Sequence, residues 1–188
     1  INGNNPVTTT TNYFYDNPLH ALLSRIQISN SKNELITTTI KYPFDYTITG
    51  TATDNIAKGI QNLQTNYIIN PVVEKYQQKS NTDGTNLRTL TSTFTTYKAS
   101  SLYPDLIFQT ENLGTFNFTP ATISASATVK DSRYQSRISF DIYDLNGNIL
   151  RQHQLNNITQ SYIWDYKQLY PIAEAINTSV NDIAYTSF

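Results

Sequence analysis

The chain has 188 residues, of which 38% are hydrophobic and only 14% charged; its net charge is -1, and it contains neither Cys nor Met. This balance excludes the basic footprint that neutralises nucleic-acid phosphates, and no apolar run approaches the roughly 18 to 20 residues of a membrane-crossing helix. Disulfides and thiolate chemistry are excluded outright. A sequence that begins at Ile1 without Met and without a basic region leading into an apolar core is expected to be a piece of a longer translation product.

Thr, Asn, Ser and Tyr dominate the texture, while strong helix formers are scarce, which favours half-buried strands over helices. The expected fold class is mainly β, built of successive antiparallel hairpins with one short helix. Val7 to Tyr15 reads as a strand closed by Asp16-Asn17-Pro18. Leu22 to Ser29 and Leu35 to Tyr42 read as a hairpin around Asn30-Ser31-Lys32-Asn33.

From Asp54 to Tyr67 the period changes, with Ile56, Ile60, Leu63 and Tyr67 on one stripe and Asp54 placed as N-cap. This predicts an amphipathic helix that packs on a sheet, ended by Asn70-Pro71. The helix makes residues 54–70 an insertion in a single β segment spanning residues 1–188. Val72 to Gln78 and Leu87 to Tyr97 then flank the polar turn Asn81-Thr82-Asp83-Gly84. Leu102 to Glu111 is a further strand candidate broken at Pro104, and Phe116 to Val129 reads as mixed strand and loop.

The clearest hairpin signal lies in Ser136 to Tyr143, which alternates Ile138, Phe140 and Ile142 before Asn146-Gly147. Asn-Gly between alternating runs predicts a type I′ turn with positive φ at both residues. A last strand runs through Tyr162, Trp164 and Tyr166, and Tyr170-Pro171-Ile172-Ala173 closes the pattern.

The segment Tyr143-Asp144-Leu145-Asn146-Gly147-Asn148-Ile149 resembles the Tyr-Asp-x-x-Gly-Asn-Leu consensus of the tyrosine/aspartate repeats in Rhs, teneurin and insecticidal Tc toxin proteins, with Ile149 in place of Leu. Tyr15-Asp16-Asn17 echoes it without Gly-Asn, so its turn chemistry must differ. The order of landmarks is similar to Rhs-repeat proteins of the Bacteroidetes: Lys41-Tyr42-Pro43-Phe44-Asp45-Tyr46, Asn70-Pro71-Val72-Val73-Glu74, Thr95-Thr96-Tyr97-Lys98, Ser161-Tyr162-Ile163-Trp164-Asp165-Tyr166 and Tyr170-Pro171-Ile172-Ala173. Such proteins commonly have Gly where this chain has Asp165.

The resemblance implies a coiled β-sheet or shell in a large secreted or cell-surface protein, non-catalytic, without cofactor, and enclosing or presenting a toxin or passenger domain. Its partners would be adjoining repeats and domains, since a strand pair cannot bury one aromatic face alone. Tyr15, Asp16, Tyr143, Asp144, Gly147, Asn148, Tyr162, Trp164 and Tyr166 would be the structural repeat residues.

Other chemistry is weakly represented. His20 and His153 stand far apart in sequence and outside any nucleophile or metal pattern. Asp141, Asp144, Asn146 and Asn148 offer oxygens for calcium but lack the Gly and Glu positions of an EF-hand, and a turn explains them better. Asp141 with Asp144 offers two carboxyls, but without a visible cleft they make no glycosidase. Asn117, Asn157 and Asn177 match the glycosylation pattern, which an Asn/Thr-rich chain produces by chance. The alternative function is carbohydrate binding, with Tyr162, Trp164 and Tyr166 on one strand face stacking against sugar rings.

Overall fold

A computed structural model describes residues 8–110 and 118–186. Val7, Glu111, Phe116, Asn117, Ser187 and Phe188, which enter the expectations above or the chain end, lie outside the described residues. The fold is mainly β, as the composition predicts. Ten strands form one antiparallel sheet: β1 (Thr9–Phe14), β2 (Arg25–Asn30), β3 (Glu34–Lys41), β4 (Glu74–Asn81), β5 (Arg88–Tyr97), β6 (Pro104–Thr110), β9 (Tyr134–Tyr143), β10 (Ile149–Gln154), β11 (Thr159–Asp165) and β12 (Tyr170–Ile176). Their spatial order is their chain order, interrupted only by a small hairpin of β7 (Thr122–Ser124) and β8 (Ala127–Val129) outside the sheet. The sheet is open, with β1 and β12 as its edges.

Among the described residues one α-helix, α1 (Asn55–Thr65), lies over this sheet, and two single 3-10 turns, Pro43–Asp45 and Val180–Asp182, accompany it. Asp54 caps α1 as expected, accepting from the Ala57 amide at 2.9 Å. The same carboxylate accepts from the amide (2.5 Å) and the hydroxyl (3.0 Å) of Thr128, which pins the β7–β8 hairpin beside the helix. Gly59 faces β5 so closely that a Cβ there would stand 2.1 Å from the Tyr97 carbonyl oxygen. A residue that weakens helices is therefore the one that lets this helix approach its sheet.

The helix does not run to Asn70-Pro71. It ends at Thr65 in a Schellman arrangement: Ile68 N–H donates to Leu63 C=O at 2.9 Å and Tyr67 N–H to Gln64 C=O at 3.0 Å, with Tyr67 in the left-handed region at φ 55°. Backbone closure stops the helix before the proline can.

Ile60 and Leu63 meet Tyr46, Val73, Phe94, Tyr97, Ala121 and Tyr134 in one core, flanked by Ile48, Ile56, Ile68, Phe108, Phe118 and Ile123. That core occupies the middle of the sheet. No residue of β1, β2, β3, β10 or β12 is buried, and in β11 only Ser161 is. Two single-layer wings thus extend from a covered centre.

Several boundaries shift from the sequence reading. β6 begins at Pro104 rather than breaking there, since a proline at a strand's first position costs no ladder bond. The strand after Pro71 starts at Glu74 and runs to Asn81.

Candidate functional site

Three hairpin turns share one chemistry. In the first, Asn30 Oδ1 accepts from the amides of Lys32 (2.9 Å) and Glu34 (3.2 Å), Asn33 N–H donates to Asn30 C=O, and Asn33 is left-handed at φ 62°. In the second, Gly84 N–H donates to Asn81 C=O at 3.0 Å with Gly84 at φ 84°. In the third, Asp144 Oδ1 accepts from the amides of Asn146 and Asn148, both at 2.8 Å, and Gly147 is left-handed at φ 87°. Asn146 keeps a negative φ, so the expected type I′ turn is instead the longer hairpin loop in which one left-handed residue follows the turn. The Asp144 carboxylate produces this outcome by holding two amides of the loop.

The motif residues around that turn are joined. Tyr143 stacks on Tyr103 with ring centroids 4.8 Å apart and donates to Pro104 C=O at 2.9 Å. A Cβ on Gly147 would stand 2.8 Å from the Tyr103 ring. Asn148 Nδ2 donates to Asp144 (2.9 Å) and to the Gln168 carbonyl (2.8 Å), linking neighbouring hairpin ends. Against a penalty from burial, the hydrogen bonds of Asn148, Asn146 and Gly147 hold the Asp144 carboxyl below its usual range.

Asp16 acts differently from its echo. It closes the long loop between β1 and β2 through the Ser24 hydroxyl (3.0 Å) and the Arg25 guanidinium (3.2 and 3.3 Å), while Arg25 lies 4.0 Å over the Phe14 ring. Tyr15 is exposed beside it. The same loop is pinned by Asp45, which accepts from Asn17 Nδ2 (2.7 Å) and from His20 Nε2 (3.2 Å). His20 Nδ1 accepts from the Leu22 amide at 3.0 Å, so its proton sits on Nε2 and the ring serves the loop's shape.

Tyr162, Trp164 and Tyr166 do not share a strand face. β11 ends at Asp165, its register with β12 shifts between Ile163 and Trp164, and Tyr166 opens a turn in which Tyr166, Lys167 and Gln168 are all left-handed. Tyr162 receives a bond from Gln152 at 3.0 Å, and Trp164 donates its indole N–H to Ile149 C=O at 2.9 Å while lining a groove of about 420 Å³ with Ile163, Ile172, Ile183 and Tyr185. The aromatic alternation ends here because the strand stops at Asp165 and the chain enters a left-handed turn; the bulge at this point adds its extra residue, Ile172, to β12 and leaves β11 regular. Tyr166 is exposed and meets Tyr170 edge-on at the hairpin tip.

Two constellations escaped the sequence reading. On β9 and β10, Asp141 accepts from Ser139 Oγ (2.8 Å), pairs with His153 Nδ1 (2.9 Å) and with Arg151 Nε (3.3 Å). Burial works against ionising Asp141, but the bonds from His153 and Ser139 and the charges of His153 and Arg151 outweigh it and keep the carboxyl low. Ser139 donates to the carboxylate rather than to the imidazole, so the three do not form a nucleophile-base relay. Asp141 is thus engaged by β9 and β10 side chains, while Asp144 is engaged by the loop amides and Asn148, the turn chemistry that the sequence favours over calcium.

Beneath the helix, the fully buried Glu74 accepts from the Tyr134 hydroxyl and the Ala121 amide, both at 2.8 Å, and pairs with Lys41 Nζ at 3.2 Å. Lys41 stands directly opposite Glu74 across β3 and β4, and its ammonium also donates to Ala121 C=O. The Tyr46 and Tyr134 phenols are raised by burial and then by the nearby Glu74 charge. The centre holds a buried ion pair across β3 and β4, with Glu74 Oε1 hydrogen-bonded and Oε2 met by the Lys41 charge alone.

The wing of the sheet carries an incompletely covered apolar strip in which Tyr13 is exposed and the isoleucines are half-buried. Tyr13, Ile26, Ile28 and Ile36 are direct or alternate partners across β1, β2 and β3, so they form one strip on the face opposite Glu74. Among the described residues no element covers that strip. No helix among them is long and apolar enough to cross a membrane. The class defined by fold and site is an open antiparallel meander with a covered centre and bare wings. No family model, curated protein or solved structure matches the chain.

Proposed function

We propose that this chain is a non-catalytic structural segment of a longer secreted or cell-surface protein of the Rhs type, contributing sheet to a wall or scaffold that encloses or presents a passenger domain. The observation that carries this reading is the open meander whose strands follow chain order, with a hydrophobic core only at its centre. Such wings gain burial when neighbouring sheet or cargo lies against them. The turn built by Tyr143, Asp144, Gly147 and Asn148 supports it, since each of these residues serves the hairpin's shape. Electron microscopy of the full-length protein tests the proposal: a continuous hollow or coiled particle with this segment in its wall is the expected result, and separate beads on a string would overturn it.

A second reading, saccharide recognition, draws on the exposed Tyr166 and Tyr170 at the tip of the β11–β12 hairpin. It predicts retention on a glycan array that Tyr166→Ala abolishes; absence of retention by the intact chain rejects it.

A further inference from the structure

The two edges of the sheet meet solvent in different ways. β12 carries Pro171 and Glu174 and is bulged against β11, three devices that blunt an edge against further pairing. β1 has none of them. Thr9–Phe14 contains no charge and no proline, and its register with β2 runs unbroken from Thr9 opposite Asn30 to Phe14 opposite Arg25.

The direction of its backbone groups follows from bonds at the strand ends. Ser31 N–H donates to Thr8 C=O at 3.1 Å, so residues 8 and 31 are a hydrogen-bonded pair, and by alternation Thr10, Asn12 and Phe14 direct their amides to β2. Ile40 N–H donates to Ser24 C=O at 2.8 Å, which gives β2 the matching parity, its even residues serving β3. Thr9, Thr11 and Tyr13 therefore point their N–H and C=O groups out of the sheet. No other described residue bonds to them.

We propose that β1 is a self-pairing edge that binds β1 of a second copy of this chain, antiparallel, with Thr11 opposite Thr11 on a two-fold axis. In this register the outward residues of one copy meet those of the other, Thr9 opposite Tyr13 and Thr11 opposite itself, and each such pair exchanges both backbone bonds. Charge does not oppose this partner. No like charges face each other along β1, and the nearest charged residues, Asp16 and Arg25, already neutralise one another at 3.2 Å. Thr–Thr and Thr–Tyr neighbours are favourable cross-strand pairs. The axis is perpendicular to the sheet, so the Tyr13, Ile26, Ile28 and Ile36 strips of both copies join on one side. Pairing with β12 of another copy would instead meet Pro171, Glu174 and the bulge.

Sedimentation of the 188-residue chain from about 1 µM to about 500 µM tests this. The expected result is a dimer whose fraction rises with concentration. Thr11→Pro removes an outward amide without touching the β2 ladder, a position where an edge strand tolerates proline, and Thr11→Lys sets two ammonium groups face to face on the axis. Both variants should remain monomeric, with Thr11→Lys keeping the wild-type circular dichroism and melting temperature should the proline perturb the fold. Glu174→Pro, which removes an outward amide of β12, should dimerise like the wild type. A chain that stays monomeric at the highest concentration overturns the proposal and leaves the edge to an adjoining segment of the longer protein or to a strand of a different one. A dimer that survives Thr11→Lys overturns it too, as do open-ended oligomers lost on Glu174→Pro, which would mean β1 pairs with β12.

Discussion

Gly59 shows how a single missing atom positions an element. In the interior of α1 glycine weakens the helix by about 1 kcal/mol relative to alanine, yet a methyl group there would collide with the Tyr97 carbonyl, a backbone atom that cannot swing aside. The steric term outweighs propensity. Gly59→Ala is expected to destabilise the chain by about 2 to 3 kcal/mol despite its better helix propensity, read as a lower urea midpoint with unchanged slope. A stabilised variant would show that α1 lies farther from β5 than described. Glu74 gives the complementary case: burial of a carboxylate is tolerated because Lys41, Tyr134 and Ala121 reach it together.

Local chemistry made the elements readable, and long-range geometry set the limit of that reading. The Asp54 cap and the Asn30–Asn33 and Asn81–Gly84 turns are carried by neighbouring residues and are present in the fold, whereas the alternation of β9 is interrupted by register shifts against both β6 and β10. Alternation alone could not say which face is covered, so Ile26 and Ile28 look like core yet lie on a bare wing. Nor could it anticipate the left-handed turn that takes Tyr166 out of the strand after Asp165, or the Asp141–His153 and Lys41–Glu74 pairs formed by strands that happen to lie side by side. The element ends offer two opposed predictions. Tyr67 holds a left-handed position with its side chain exposed, so Tyr67→Gly is expected to raise stability by about 0.5 to 1 kcal/mol, the left-handed strain outweighing glycine's extra unfolded-state entropy. Gly147→Val meets both the same backbone strain and the Tyr103 ring and should cost about 2 kcal/mol or more. Thermal melts of the two variants should move in opposite directions. If Gly147→Val melts like the wild type, the turn assigned to Asp144–Asn148 is wrong.

For the molecule as a whole, tyrosines share the core with aliphatic residues, and this gives stability a distinctive dependence on pH. Burial pushes the Tyr97 phenol up to about 12, and burial followed by neighbouring charge raises Tyr46, Tyr134 and Tyr143 as well. A phenol whose folded value lies above its unfolded value of about 10 binds its proton more tightly in the folded state. The stability it contributes is therefore complete below pH 10 and is lost as the pH rises through the folded value. Three of these tyrosines belong to the one core that α1 covers, so their ionisation should coincide with loss of the sheet's centre rather than precede it. Urea midpoints measured from pH 8 to 12, followed together with phenolate absorbance, should fall steeply above pH 10, and Tyr97→Phe should flatten part of that fall. Were the buried phenols to ionise with the far-ultraviolet signal intact, the central core would have to be open to solvent, and the picture of a covered centre between bare wings would fail.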